Sequence, residues 1–325
     1  MISDELRDPR ARITDVRNEV GKVIVGQNGV ISGMITALLI GGHVLLEGVP
    51  GTAKTLMVNT LASALSLNST RVQFTPDMMP SDILGQSVYD PSAPSVEAAF
   101  RFRAGPVFTN LLLADEINRT PPRTQAALLE AMEETQVTVE GRPLTLPDPF
   151  LVVATQNPIE QEGTYPLPEA QLDRFVFKLQ VGYPAPDEEC QVLERHDAGL
   201  KPHKLSESGI LAVADREDLL AARDEIALLR TEPSVIRYIV DLANASRNTP
   251  SLQLGISPRG STWLLKASKA WAWLNHRDYV TPDDVKAMVI PTLRHRITLR
   301  PDVAMDGATA VDVLKTLVSG VPVPK

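Results

Sequence analysis

Apolar positions along the chain fall into two textures. Up to about residue 183, short runs with almost no polar position alternate with stretches of helical period: Val44-Leu45-Leu46, Leu111-Leu112-Leu113-Ala114, Leu151-Val152-Val153-Ala154 and Phe175–Val181. Strands this uniformly apolar are covered on both faces, which predicts a parallel sheet packed between helices, an α/β class. Ile31, Met34, Ile35, Leu38 and Leu39 follow the i, i+3, i+4, i+7, i+8 spacing of an amphipathic helix ended by Gly41-Gly42. Further helices are expected from Thr55 to about Leu67 and from Thr124 to Glu134, a strand at Arg71–Phe74, and a hairpin over Val137–Leu146 turning at Glu140-Gly141. Between Thr75 and Asn110 turn residues alternate with short apolar pieces, a long irregular insertion.

Beyond Tyr183-Pro184-Ala185-Pro186 no further strand of that kind appears, and helical patterns dominate. Ser257-Pro258 and Thr281-Pro282 each pair an N-cap with proline at the first helical position. The helix opened by Ser257 is expected to bury Trp263, Leu264, Ala267 and Trp271. The division predicted is therefore an α/β core over residues 1–183 and a smaller all-helical domain over 184–325.

Val23–Leu46 is uncharged, yet its glycines, Gln27, Asn28 and His43 read as a helix, turn and strand and not as a membrane span. Met1–Val20 is too charged for a signal-peptide core. Across 325 residues, 43% hydrophobic and 22% charged describes a globular chain, and a net charge of −8 lacks the basic footprint of non-specific nucleic-acid binding. One cysteine excludes a disulfide framework and fits a reducing, cytoplasmic setting. Cys190 is expected to be a half-buried helix residue, and the five histidines lack metalloprotease spacing. Fifteen of the 26 prolines lie between Pro76 and Pro186, where they stiffen loops as the chain leaves the sheet.

Gly48-Val49-Pro50-Gly51-Thr52-Ala53-Lys54-Thr55, with Leu56 following, joins a predicted strand to a predicted helix. That is the context of a P-loop: backbone N–H groups at a helix N-terminus cradle phosphate, Lys54 adds positive charge, and the Thr55 hydroxyl can ligand Mg²⁺. Ala53 stands where the general pattern has glycine, which is acceptable if its backbone stays right-handed. Leu111–Ala114 runs into Asp115-Glu116. Two adjacent carboxylates at a strand end, downstream of a P-loop, fit a magnesium-shell aspartate and a glutamate that orients or deprotonates water; alone, such a pair is also a common solvated loop start.

These segments, with Gln73-Phe74-Thr75-Pro76-Asp77, Gly105-Pro106-Val107-Phe108, Asp115-Glu116-Ile117-Asn118-Arg119, Ala154-Thr155-Gln156-Asn157-Pro158, Leu172-Asp173-Arg174-Phe175 and Ser257-Pro258-Arg259, make the chain resemble the MoxR family of AAA+ ATPases over nearly its whole length. The family also uses alanine before the P-loop lysine. The resemblance implies a AAA+ core with an insertion in its second helix and an all-helical lid, with ATP and Mg²⁺ as cofactors. It further implies that Asn157 is sensor 1, Arg174 an arginine finger for a neighbouring subunit, Arg259 a sensor 2 reaching back to the phosphates, and Val25-Gly26-Gln27 the adenine-side segment. A self-assembled ring is expected, most simply a hexamer, acting on a protein client or a partner with a von Willebrand factor A domain, with no nucleic acid and no membrane insertion. The insertion and the 137–146 hairpin are expected to face the channel or partner, or to be passive loops.

A DNA-directed motor or transcription activator on the same core is the alternative reading. The only dense basic patch, Arg294-His295-Arg296 with Arg300, reads better as a solvated helix end. A nucleotide-gated module without turnover would have no need of Glu116.

Overall fold

A computed structural model describes residues 8–49, 51–89, 91, 100–139, 141–157, 163–199, 201 and 209–324. The chain opens with α1 (Pro9–Gly21) and α2 (Asn28–Leu39), then β1 (Val44–Gly48), α3 (Lys54–Ala64) and β2 (Ser69–Gln73). The insertion follows as a short α4 (Pro80–Leu84) and an antiparallel pair, β3 (Gly85–Tyr89) and β4 (Phe100–Ala104). Next come β5 (Leu111–Asp115), a 3-10 turn at Ile117–Arg119 and α5 (Pro122–Glu134). The hairpin β6 (Gln136–Val139) and β7 (Arg142–Thr145) leads to β8 (Leu151–Gln156), α6 (Glu169–Leu172) and β9 (Phe177–Val181).

Five strands form one parallel sheet in the order β2-β5-β8-β1-β9. The three central strands are those with unbroken apolar runs. The edge strand β2 (Ser-Thr-Arg-Val-Gln) buries only Val72. Successive strand residues feed opposite faces: Val44, Leu46, Leu111, Leu113, Leu151 and Val153 join one core, and Leu45, Leu112, Ala114, Val152 and Ala154 the other. The second core is closed by α5, Phe74, Phe150 and Phe175.

After β9 the chain is helical: α7 (Pro186–Asp197), α8 (Arg216–Leu228), α9 (Pro233–Asn248), α10 (Pro258–Leu274), α11 (Pro282–Leu293), α12 (Pro301–Met305) and α13 (Ala310–Gly320). A small antiparallel ribbon, β10 (Leu252–Leu254) with β11 (Thr298–Leu299), is the one strand pairing among the described residues of this part. Ser257 and Thr281 cap α10 and α11 as expected, accepting from the Gly260 and Asp284 amides. Within α10 the fully buried aromatic is Trp273, with Trp263 and Trp271 only partly covered.

Helix α1 was not foreseen in the charged N-terminal stretch. Asp8 caps it, accepting from the Arg10 and Ala11 amides at 2.9 and 3.2 Å, and Pro9 starts it. Its narrow apolar stripe of Ile13, Val16 and Val20 is buried, and α1 packs on α3, α8 and α10. Arg10 lies 5.3 Å over the Trp273 ring and Arg12 reaches the buried Asp218 at 3.3 Å. The helix thereby ties the sheet's first face to the C-terminal helices.

The basic segment Arg294-His295-Arg296 is not a solvated helix end. Arg296 is buried, its Nε 2.6 Å from Asp173 Oδ1 and its Nη groups donating to the Asp173, Phe175, Val176 and Thr292 carbonyls. His295 is buried beside it, with Nε2 2.8 Å from the Phe175 carbonyl. A buried guanidinium needs this many acceptors. The backbone entering β9 supplies most of them, so the end of α11 is bolted to that segment. Cys190, expected half-buried, is exposed on α7.

Candidate functional site

The site begins where β1 ends. Gly48 lies so close to β9 that a Cβ there would meet the Val181 carbonyl oxygen at 2.4 Å, so this glycine answers to strand packing. Gly51 meets no such neighbour and instead has φ +83°. Pro50 lies outside the described residues. Ala53 is left-handed, φ 59° and ψ 22°, contrary to the right-handed backbone expected of an alanine. An L-residue there costs about 1–2 kcal/mol, strain of the kind that concentrates at functional sites. The turn starts α3 at Lys54 with no side-chain cap, so its first N–H groups keep their capacity for an external acceptor.

Lys54 Nζ folds back onto the Gly48 and Val49 carbonyls at 2.7 and 2.9 Å. Burial lowers its pKa from the usual lysine range, opposed by the charges of Asp115 and Glu116. Thr52 donates to the Val49 carbonyl. A cavity of about 1060 Å³ opens over this loop, lined by Gly48, Gly51 to Leu56, Asp115, Glu116 and Asn157. Val25 and Gln27 line it too, and Gln27 donates to the Gly182 carbonyl at 3.0 Å; Gly26 between them has φ +75°.

The acidic pair is tightly held. Asp115 Oδ2 accepts from Arg71 Nη2 at 2.7 Å and Nε at 3.2 Å, across the β2–β5 pairing. Its Oδ1 accepts from the Thr155 hydroxyl at 2.6 Å. Glu116 is left-handed at φ 57°; its carboxylate meets Arg119 at 2.8 Å, and its amide donates to Thr155 Oγ1 at 2.9 Å. Strand β8, which carries Thr155 and runs into Asn157, sits between β5 and β1, so Asn157 lies between the acidic pair and the phosphate loop.

Arg174, expected to serve the nucleotide of a neighbouring subunit, and Arg259, expected to reach back to the phosphates, both stand away from this cavity. Arg174 meets Glu133 of α5 at 3.3 Å, and Arg259 in the first turn of α10 meets the same Glu133 at 3.5 Å and Asp173 at 3.8 Å. Neither lines the cavity. The structure thus brings together Val25, Gln27, the P-loop, Asp115, Glu116 and Asn157, and separately Arg174 with Arg259.

Sequence reasoning missed Arg71, Asn59 and the contribution of α7, whose Val192, Arg195 and His196 also line the cavity. Arg195 donates to the Gly21 and Lys22 carbonyls, clamping α7 to the end of α1. The start of α7 at Pro186, within Pro184-Ala185-Pro186, was the available signal.

The residues fit a magnesium nucleotide: an uncapped helix start, a lysine among carbonyls, a hydroxyl at Thr55 and two carboxylates open on one cavity. No cluster of histidine, cysteine and acidic side chains suited to hold a metal by itself occurs among the described residues. No helix among them is long and apolar enough to cross a membrane.

Residues 43–177 match the ATPase family associated with various cellular activities (AAA), and residues 244–317 match the AAA lid domain. The chain is 48% identical over 305 residues to YeaC of Bacillus subtilis (strain 168), which covers 94% of this chain and 92% of that one. It is 41% identical over 316 residues to Chaperone MoxR1 of Mycobacterium tuberculosis, covering 94% and 81%. The crystal structure of a Cytophaga hutchinsonii protein classed as an ATPase superposes with a TM-score of 0.88 at 40% identity, over 98% of this chain and 96% of that one. The parallel sheet with its phosphate loop, the helical lid and these relatives agree: the chain belongs to the MoxR family of AAA+ ATPases.

Proposed function

We propose that this protein hydrolyses ATP with Mg²⁺ as a subunit of a ring, most simply a hexamer in the cytoplasm, and uses the cycle to remodel or mature a protein partner. The observation that carries this reading is the separation of the two parts of the site. The phosphate loop, Asp115, Glu116 and Asn157 share one cavity, whereas Arg174 and Arg259 meet on Glu133 outside it. Two arginines that do not line their own chain's cavity suit the nucleotide of a neighbour.

In this reading residues 1–183 form the nucleotide-binding core and 184–325 the lid. Val25, Gly26 and Gln27, with Val192 and His196, enclose the base. The backbone of Gly48–Leu56 and the Lys54 ammonium hold the phosphates. Thr55 and Asp115 are the groups that would ligand magnesium, which when bound neutralises phosphate oxygens and polarises the terminal phosphoryl group. Glu116 takes the proton of the attacking water, and Asn157 orients that water by its amide. Arg174 and Arg259, entering from the adjacent subunit, stabilise negative charge that develops on the phosphoryl oxygens.

The partner class proposed is a protein client or a protein with a von Willebrand factor A domain, as the resemblance implies. The insertion hairpin offers a surface for it, with Tyr89 and Phe100 exposed and their ring centroids 5.5 Å apart. A DNA-directed motor is disfavoured by the net charge of −8 and by the burial of Arg296 in the one dense basic patch.

The test is complementation. Glu116→Gln and Arg174→Ala chains should each be inactive alone, and mixing them should restore part of the phosphate release, because some interfaces then combine an intact Glu116 with an intact Arg174. Absence of rescue at every ratio would refute the shared site.

A further inference from the structure

We propose that Thr155 is a positioning residue that sets the geometry of both acidic side chains with a single hydroxyl. The proposal rests on the reading of Asp115 and Glu116 given above. Thr155 is buried at 1% exposure, yet its side chain is fully used. Oγ1 accepts the Glu116 amide at 2.9 Å and donates to Asp115 Oδ1 at 2.6 Å. A hydroxyl carries one proton. With a lone pair committed to the Glu116 N–H, that proton serves Asp115, so the two bonds fix each other's direction.

Two consequences follow. Glu116 is left-handed at φ 57°, a conformation that a non-glycine residue keeps only when its surroundings hold it. The Thr155 bond pins the amide of that turn and so determines where the Glu116 carboxylate emerges from the sheet. On Asp115, the hydroxyl occupies Oδ1 and leaves Oδ2 as the oxygen that meets a cation. In this structure the cation at Oδ2 is Arg71, at 2.7 Å. The guanidinium is 49% exposed and can withdraw, whereas Thr155 is locked in β8. Thr155 therefore chooses which carboxylate oxygen faces magnesium, and Arg71 meets that same oxygen from the exposed side.

The variants that test this are Thr155→Val, which keeps the shape and removes the hydroxyl, and Thr155→Ser, which keeps the hydroxyl. Binding of a fluorescent ATP analogue is measured with excess EDTA and with Mg²⁺, beside the steady-state rate and the melting temperature of the nucleotide-free chain. In Thr155→Val, binding without metal should stay within about twofold of wild type, the tightening produced by Mg²⁺ should shrink about tenfold, and kcat should fall about 10- to 100-fold, the range for a lost hydrogen bond to a charged group. Thr155→Ser should return both within about threefold. Metal-dependent tightening and kcat within twofold of wild type in a folded Thr155→Val chain overturn the proposal, as does a Thr155→Ser chain no better than Thr155→Val. Thr155→Ala carries the same comparison if the valine chain does not melt cooperatively. A wild-type chain without any Mg²⁺ tightening would instead defeat the reading of Asp115 itself, and the proposal with it.

Discussion

The two halves of the site are built from the same ingredients and arranged to opposite ends. In the phosphate half, Asp115 and Glu116 are each matched to an arginine, Arg71 and Arg119, beside an open cavity and two left-handed non-glycine residues, Ala53 and Glu116. In the arginine half, Glu133 holds Arg174 and Arg259 while Asp173 holds Arg259 and the buried Arg296. There, under the proposed mechanism, the acids would serve as anchors and the half-buried Arg174 and exposed Arg259 as the working groups. The difference teaches that carboxylate–guanidinium pairing is neutral as to role: what surrounds the pair decides which partner is free to do chemistry. Under the proposed mechanism the acid would be the group released beside the strained cavity, and the arginine the group released beside the anchored lid.

The largest effect expected from this contrast is kinetic. Arg174→Ala should lower kcat by about 10³-fold or more, as for a lost arginine finger, while fluorescent-nucleotide binding by the isolated chain stays within about twofold. Lys54→Ala should abolish that binding. Equal loss of binding in both would merge the two halves into one.

Next in size, Arg296→Met removes one partner of a buried pair and should cost about 3–5 kcal/mol in denaturant unfolding. Nucleotide affinity at the distant cavity should change little. An unaltered unfolding midpoint would show that the arginine half is not anchored as described.

A smaller effect comes from pH. His43 is buried, its Nδ1 accepting the Val152 amide and its Nε2 facing the Met132 carbonyl. Burial lowers its pKa to about 4 from an ordinary 6.5. The unfolded chain therefore binds more protons between those values, and stability must fall as pH drops below 6.5, by about 2 kcal/mol from pH 7 to pH 5. His295 is pushed the same way, by burial first and then by Arg296. Unfolding midpoints at the two pH values measure this, and a midpoint that rises on acidification would contradict it. The smallest change is Ala53→Gly, which relieves the left-handed alanine and should add about 1 kcal/mol or less of stability. A loss of stability would mean that the loop is not strained.

Much of this was legible in the sequence where chemistry is contiguous. The phosphate loop and Asp115-Glu116 each sit at the end of an apolar run, so neighbouring letters carry both the motif and its placement. Arg71 was not legible, because its contact depends on the register of β2 beside β5, forty-four residues away. Val192, Arg195 and His196 reach the cavity only because α7 folds back onto the end of α1. Helix α1 hid its narrow stripe among charges, and Arg296 was misread because a run of basic letters carries no trace of the carbonyls that receive it. Ala53 shows the reverse error, a residue whose ordinary preference was trusted where the fold overrides it.

The anchoring of Arg296 also has a mechanical meaning. One guanidinium grips the carbonyls of Asp173, Phe175 and Val176, the residues on either side of Arg174 and just beyond, from the end of a lid helix. A linkage that short has almost no slack. Any rotation of the helical part about the sheet therefore acts as a crank on the strand entry, and Arg174 is displaced in step with it. If Arg174 serves a neighbour's nucleotide as proposed, the posture of one subunit's lid would be read directly at the site next door, without a separate messenger element.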